Sequence, residues 1–267
     1  MQVLENAAAN VPHPEKEHMG DDGLMHCSIC NTPVQTRIKF LGREAVVRCI
    51  CKCREQKLLE EEEQRYREEC DRRRKNCFAE TNMATWTFEN DDRKNTALSD
   101  LMFKYAEKFP DHLKEGTGVI LLGPVGTGKT YLTACVANKL IDKGYKVLMT
   151  NFARLTNQMQ GMYQGKQDFI DDLNTYHLLI LDDLGAERKS EYMQETVYNI
   201  VDSRYRSGRP FIITTNLTSE ELTSPKDISY ERIYDRILER CVPIKVNGES
   251  RRRELLKKSA TERLGLG

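Results

Sequence analysis

The sequence predicts an α/β fold: a five-stranded parallel sheet covered by helices on both faces, preceded by a small cysteine-bearing module and a charged helix. Three observations carry that expectation. Gly123-Pro124-Val125-Gly126-Thr127-Gly128-Lys129-Thr130 fits G-x-x-x-x-G-K-[ST] without mismatch, between the apolar run 118–122 and a helical pattern from Tyr131 to Lys143 that Gly144 stops. Some fifty residues on, His177 to Asp183 is an apolar strand that ends in two acids. Strand and helix patterns then keep alternating to residue 246, which favours a parallel sheet with its ligand at the carboxyl ends of the strands.

Taken in order, residues 1–22 mix Asn, Pro, His, Glu and Gly without periodicity and are expected to form a mobile tail. Residues 23–53 form a cysteine module, and 54–79 a charged linker helix with Glu61/Arg65, Glu63/Arg67, Glu68/Arg72 and Glu69/Arg73 at the supporting i, i+4 spacing. Leu58, Leu59, Tyr66 and Cys70 are too few for a coiled-coil seam, so a solvated helix between modules is preferred. The main domain is set at 80–255, anchored by Trp86-Thr87-Phe88, with a C-terminal tail at 256–267. Its strands are expected at 118–122, 146–150, 178–181, 211–215 and 242–246. Helices are expected at 131–143, 152–163, 190–205 and 230–239.

The loop chemistry follows from the residue types. Glycines let backbone N–H groups turn inward around phosphates, the helix N-terminus adds its positive end, Lys129 reaches the terminal phosphates, and the Thr130 hydroxyl can ligate Mg²⁺. Residues 123–131 are therefore the expected cofactor-binding stretch of a nucleoside triphosphatase. Asp182 is expected to hold the Mg²⁺ water shell and Asp183 to polarise the attacking water. A chance glycine turn and an acid pair capping a helix are the alternatives; the strand, loop and helix in the required order argue against both.

Cys27-x-x-Cys30 and, nineteen positions later, Cys49-x-Cys51-x-Cys53 offer five thiols to a metal that needs four. Zinc accepts tetrahedral thiolate coordination, so Cys27, Cys30, Cys51 and Cys53 are the expected ligands, with Cys49 able to replace either of the last two and His26 a further candidate. Four protein ligands make a structural site. The rest of the composition is plain. With 41 basic and 41 acidic side chains the net charge is zero, so any nucleic-acid contact must come from a local patch. The N-terminus lacks a signal-peptide pattern and no apolar run reaches spanning length, so a cytoplasmic protein is expected; nine cysteines there are not a disulfide framework.

Together these motifs resemble the bacterial helicase loaders of the DnaC/DnaI type, within a group of AAA+ ATPases that also includes the IstB transposition helpers. The resemblance covers residues 80–255 and rests on 123–130, Leu-Asp-Asp-Leu-Gly-Ala-Glu at 181–187, Thr-Thr-Asn at 214–216 and Glu-Arg-Ile-Tyr-Asp-Arg-Ile at 231–237. It implies an ATP-hydrolysing enzyme in which Asn216 orients the attacking water and Arg236 is the arginine finger offered to a neighbouring subunit, with Arg232 as the fallback. Gly248-Glu249-Ser250-Arg251-Arg252 matches a Gly-x-Ser-x-Arg stretch, making Arg252 a second sensor. Asp183 stands where many AAA+ enzymes have Glu, which implies weaker or partner-dependent hydrolysis. With few residues after Arg252, a full helical lid domain is not expected.

The function implied is an ATP-dependent loader: its N-terminal module binds a replicative hexameric helicase, and the ATPase domain self-associates through the ATP interface and holds single-stranded DNA. Arg154, Asn157, Gln158, Gln160, Tyr163, Gln164 and Lys166, in a stretch nearly free of acids, are the candidate DNA contacts. The alternatives are an IstB-like transposition helper and an ATP-switched scaffold with negligible hydrolysis.

Overall fold

The computed structural model describes residues 16–40, 42–78, 82–185, 190–225, 227–248 and 250–251. The chain divides into two compact units, Met1–Glu69 and Cys70–Gly267.

In the first unit, β1 (Glu17–Met19) pairs antiparallel with β2 (Met25–Cys27), and β3 (Gln35–Phe40) with β4 (Arg43–Arg48). Helix α1 (Lys52–Phe78) starts here. β1 corrects the expectation of a tail up to residue 22. Glu17 lies opposite Cys27, and its carboxylate accepts from Arg48 at 2.8 Å, partners too distant in sequence for local composition to reveal. The remainder of that stretch, residues 1–15, lies outside the described residues.

The second unit holds β5 (Gly118–Leu122), β6 (Val147–Asn151), β7 (Leu178–Leu184), β8 (Phe211–Thr215) and β9 (Cys241–Lys245) in one sheet of order β6-β7-β8-β5-β9, all parallel. The expected five-stranded parallel sheet is present. From β5 the chain crosses two strand positions to β6, fills back through β7 and β8, and then passes to the far side of β5. β5 is thus the strand where the winding reverses, and such a point opens a crevice at the carboxyl ends.

The helices are α2 (Thr96–Glu107), α3 (Phe109–Glu115), α4 (Lys129–Asp142), α5 (Phe152–Gln160), α6 (Lys166–Leu173), α7 (Glu191–Arg206), α8 (Ser219–Thr223) and α9 (Glu231–Arg240). The helix expected over 152–163 ends at Gln160, and α6 is a separate element that starts after Gly165, a residue at φ +79°. β7 runs three residues beyond its expected end, through both acids.

β5 and β8 are buried along their whole length because successive side chains face opposite apolar layers. Val119 and Leu121 pack with Leu132, Val136 and Leu140 of α4 and with Cys70, Cys77 and Phe78, so the last turns of α1 are core rather than solvated connector. Ile120 and Leu122 pack with α5, α7 and α9 through Phe152, Val197 and Ile233. Each such fully buried aliphatic side chain contributes roughly 1.5–3 kcal/mol.

Arg204 is 1% exposed, yet it sits inside this apolar region. It donates to the carbonyls of Leu173, Tyr176, His177 and Pro210 at 2.7–3.3 Å, satisfying chain ends that lead into β7 and β8. Burial pulls its pKa down to about 9, so the guanidinium stays charged at neutral pH.

Candidate nucleotide and metal sites

The phosphate loop follows β5 directly. Gly126 and Gly128 have φ +85° and +93°, a conformation that opens inward N–H groups and that L side chains resist. A methyl on Gly123 would lie 2.1 Å from the Val246 carbonyl oxygen, so this position also has no room for a side chain. Helix α4 starts at Lys129, two residues before the sequence pattern suggests, and its first N–H groups, including that of Tyr131, belong to the loop. Tyr131 spends its hydroxyl on the Thr87 carbonyl (3.0 Å) and its ring lies 5.4 Å from that of Trp86, so it ties the 86–88 anchor to α4.

Lys129 is buried, with Nζ donating to the carbonyls of Gly123 (2.6 Å) and Pro124 (2.9 Å) and to Asn216 Oδ1 (2.9 Å). Asn216 follows β8, so adjacent strands deliver the lysine and the amide to one point. Thr130 Oγ1 donates to both Asp182 carboxylate oxygens at 3.0 and 3.1 Å. A hydroxyl facing a carboxylate is a hard oxygen pair and suits Mg²⁺. Burial raises the Asp182 pKa, against the hydrogen bond from Thr214.

At the end of β7 the sheet is irregular. Leu181 pairs with Ile213 and Leu184 with Thr215, so Asp182 and Asp183 together face the single Thr214, a β-bulge. Asp183 takes φ +58°, uncommon for a non-glycine residue, and is exposed. The bulge turns consecutive acids in different directions, Asp182 toward Thr130 and Asp183 toward solvent. Thr214 Oγ1 donates to Asp182 Oδ1 at 2.6 Å and accepts the Asp183 N–H at 3.0 Å. Thr214 belongs to the Thr-Thr-Asn motif, but motif reading alone gives it no task.

Two further segments border the loop. Ser250 lies over Gly126, and the Arg251 N–H donates to the Gly126 carbonyl at 3.0 Å, while its guanidinium pairs with Asp92 at 3.1 Å. Arg252 lies outside the described residues, so Arg251 is the described arginine of that pair beside the loop. Beside Thr127, a cavity of about 600 Å³ is lined by Lys94, Asn95, Lys245, Asn247, Gly248 and Arg251, within the size range of small-molecule sites.

Arg236 lies on α9, with its guanidinium 2.8 Å from Asp202 and over the rings of Tyr198 and Tyr205 at 4.7 and 5.9 Å. Arg232, on the same helix, is exposed. On the far part of the sheet, Arg154, Asn157, Gln158, Gln160, Tyr163, Gln164 and Lys166 are all exposed, Tyr163 fully so. Lys166 Nζ lies 5.1 Å from the ring centre of Tyr192.

In the first unit the sulfurs of Cys27, Cys30, Cys51 and Cys53 all lie within 4.8 Å of one another, with Cys53 at 3.6 Å from Cys27 and 3.5 Å from Cys51. Zn–S bonds of ~2.3 Å give a tetrahedron edge of about 3.8 Å, so four thiolates at these spacings fit zinc. The C-x-x-C turn supplies one pair and the start of α1 the other. The Thr32 hydroxyl, 3.0 Å from its sulfur, pulls the Cys30 thiol down, while the neighbouring thiols of Cys51 and Cys30 push that of Cys53 up, so the four sulfurs share their protons. Cys49 lies outside this cluster, its thiol donating to the Pro33 carbonyl at 3.5 Å; His26 is held by Asp22 at 3.0 Å.

The sequence profile of the family described as IstB-like ATP binding protein matches residues 51–260, well over half of the chain. The chain belongs to this family. Among curated relatives it is 30% identical over 138 residues to the replicative helicase loader DnaC of Escherichia coli K12, covering 50% of this chain and 54% of that protein. To the replicative helicase loader DnaI of Bacillus subtilis it is 26% identical over 166 residues, covering 57% and 53%. The chain thus spans about half the length of the curated relatives it matches. A crystal structure of DnaI superposes with a TM-score of 0.55 at 24% identity, over 67% of this chain and 99% of the other, which shows a shared fold. The IstB-like family is ATP-binding, in keeping with the loop. Among the described residues no helix is long and apolar enough to cross a membrane.

Proposed function

We propose that this IstB-like chain is an ATP-hydrolysing loader of a replicative hexameric DNA helicase. The observation that carries the hydrolytic half is the convergence of Lys129, Thr130, Asp182, Thr214 and Asn216 from two adjacent strands and one helix start. Lys129 and the loop N–H groups hold the terminal phosphates; Asn216, already at Lys129, orients the attacking water; Asp183, released from the ladder by the bulge, accepts its proton. Mg²⁺, held by Thr130 and Asp182, supplies charge neutralisation of the phosphates when bound. Arg236 is offered to a neighbouring copy's ATP, so hydrolysis requires self-association.

The relatives named helicase loaders support the loading half. In this reading a zinc held by Cys27, Cys30, Cys51 and Cys53 folds the N-terminal module that binds the helicase, and the exposed face of α5 with Tyr163 and Lys166 holds single-stranded DNA. The family description favours a second reading, a helper ATPase acting beside a transposase. Capture of a purified hexameric helicase by the full chain, paired with steady-state ATPase, tests both. Stable capture with ATP turnover supports the loader. Turnover without capture, together with stimulation by duplex DNA, supports the helper.

A further inference from the structure

A chain with no net charge can contact nucleic acid only through a local patch, and one such patch lies outside the ATPase fold. The β3–β4 ribbon, residues 35–48, carries Arg37, Lys39, Arg43 and Arg48 against the single acid Glu44, a net charge of +3. Arg48 is engaged by Glu17. The other three cations are exposed, and Lys39 has Glu44 only at 3.8 Å with both side chains well solvated, a contact worth little. Arg37 donates one N–H to the Asp22 carbonyl, which fixes its position without cancelling its charge.

The ribbon also exposes apolar surface that a free-standing ribbon would not keep for stability. Phe40 is 51% and Val46 54% exposed, and the two strands form a sheet of their own. The register puts Phe40 opposite Arg43 on one face, and Arg37 opposite Val46 with Lys39 opposite Glu44 on the other. Arg37 and Lys39 are two residues apart on one strand, hence about 7 Å apart along it, comparable with successive phosphates of an extended single strand. An exposed ring beside a guanidinium at the turn provides a stacking platform for an unpaired base.

We propose that the β3–β4 ribbon is a contact site for single-stranded nucleic acid that passes round the turn end of the ribbon, with Arg37 and Lys39 on phosphates at one face, and Arg43 on a phosphate beside Phe40 stacked on a base at the other. The contact is separate from the ATPase domain and therefore does not depend on nucleotide. A paired duplex keeps its bases stacked, so the preference is for single strands.

The test is anisotropy of a labelled oligo(dT) with the full zinc-loaded chain and no nucleotide, titrated over a range of salt. The variant Arg37→Ala/Lys39→Ala/Arg43→Ala should lower the slope of log affinity against log salt by about 2, given ~0.7 per neutralised phosphate on a single strand. Phe40→Ala should weaken binding roughly tenfold without changing that slope. All positions are exposed, and one equivalent of zinc in each variant reports an intact module. An unchanged slope in the triple variant overturns the proposal. So does wild type that fails to bind oligo(dT) without nucleotide at low salt, or a triple variant that loses only helicase capture, which would make the ribbon a protein-docking surface.

Discussion

The Thr214 hydroxyl stands 2.6 Å from Asp182 Oδ1 and donates to it, while the same oxygen accepts the N–H of Asp183 at 3.0 Å. One side chain of β8 thereby sets the orientation of a metal-facing carboxylate and stabilises the left-handed backbone of the acid after it. Thr214→Val keeps the shape and removes both bonds. A hydrogen bond to a charged group is worth ~1.5–3 kcal/mol, so turnover should fall roughly 10- to 100-fold with a steeper Mg²⁺ requirement. Thr214→Ser should recover most of the activity. Steady-state ATPase across a Mg²⁺ titration reads this, and a valine variant with wild-type Mg²⁺ dependence would deny Thr214 the role.

Lys129→Ala leaves the Asn216 amide and two loop carbonyls without their common donor and the phosphate charge poorly compensated. Binding of a fluorescent ATP analogue, turnover or both should be lost. Equal affinity and hydrolysis in variant and wild type would refute the site.

Arg236→Ala should retain nucleotide binding and lose hydrolysis by ~10³-fold or more, because a finger acts on transition-state charge in the neighbouring copy. Mixing it with Lys129→Ala should partly restore turnover, since one mixed interface then has an intact loop and an intact finger. The guanidinium rests on Asp202 and Tyr198 of its own chain, so thermal melting of the variant must be measured alongside. If the two variants assemble and no mixing ratio restores activity, the trans role is wrong.

Cys30→Ser should release zinc, while Cys49→Ser should retain one equivalent, because the Cys49 thiol is turned to the Pro33 carbonyl. Metal analysis after chelator challenge separates the two. Zinc retained at full affinity by Cys30→Ser would remove it from the ligand set.

Arg154→Ala with Lys166→Ala should weaken the ATP-dependent part of single-strand binding and flatten its salt dependence, as expected of two lost phosphate contacts. Anisotropy with and without ATP resolves that component. Unchanged ATP-dependent affinity would place the contact elsewhere.

The phosphate loop, the acid-tipped strand and the sheet were legible because each is local: a motif, an apolar run and the order of elements. Most of what escaped depends on pairing across the chain. The bulge at Asp182 and Asp183 exists only relative to Thr214, and Thr214 gains its task only from that bulge. Arg204 looks like a solvated helical cation until the carbonyls of Tyr176 and Pro210 are brought to it. α2 went unread although its signal is local: Leu98, Met102, Tyr105 and Ala106 recur at helical spacing, and Asn95 caps the helix by accepting from the Leu98 N–H at 3.2 Å. Among five thiols, spacing favoured Cys51 and Cys53 but left Cys49 able to replace either; the turn into α1 sets Cys49 apart.

The strand order has a consequence for how the protein is made. β5 lies between β8 and β9, so the strand that launches the phosphate loop leaves the ribosome without either neighbour. It waits for Phe211–Lys245, roughly a hundred residues later, before both edges are paired. Until then the apolar strand Gly118–Leu122 is an open template for wrong pairing. All four clustered cysteines have been translated well before this interval begins. A nascent chain can therefore acquire its metal early and its nucleotide pocket only late in synthesis, and truncation before residue 211 removes Thr214, Asn216 and the β8 neighbour of β5 and leaves the ATP site unformed however intact its loop motif.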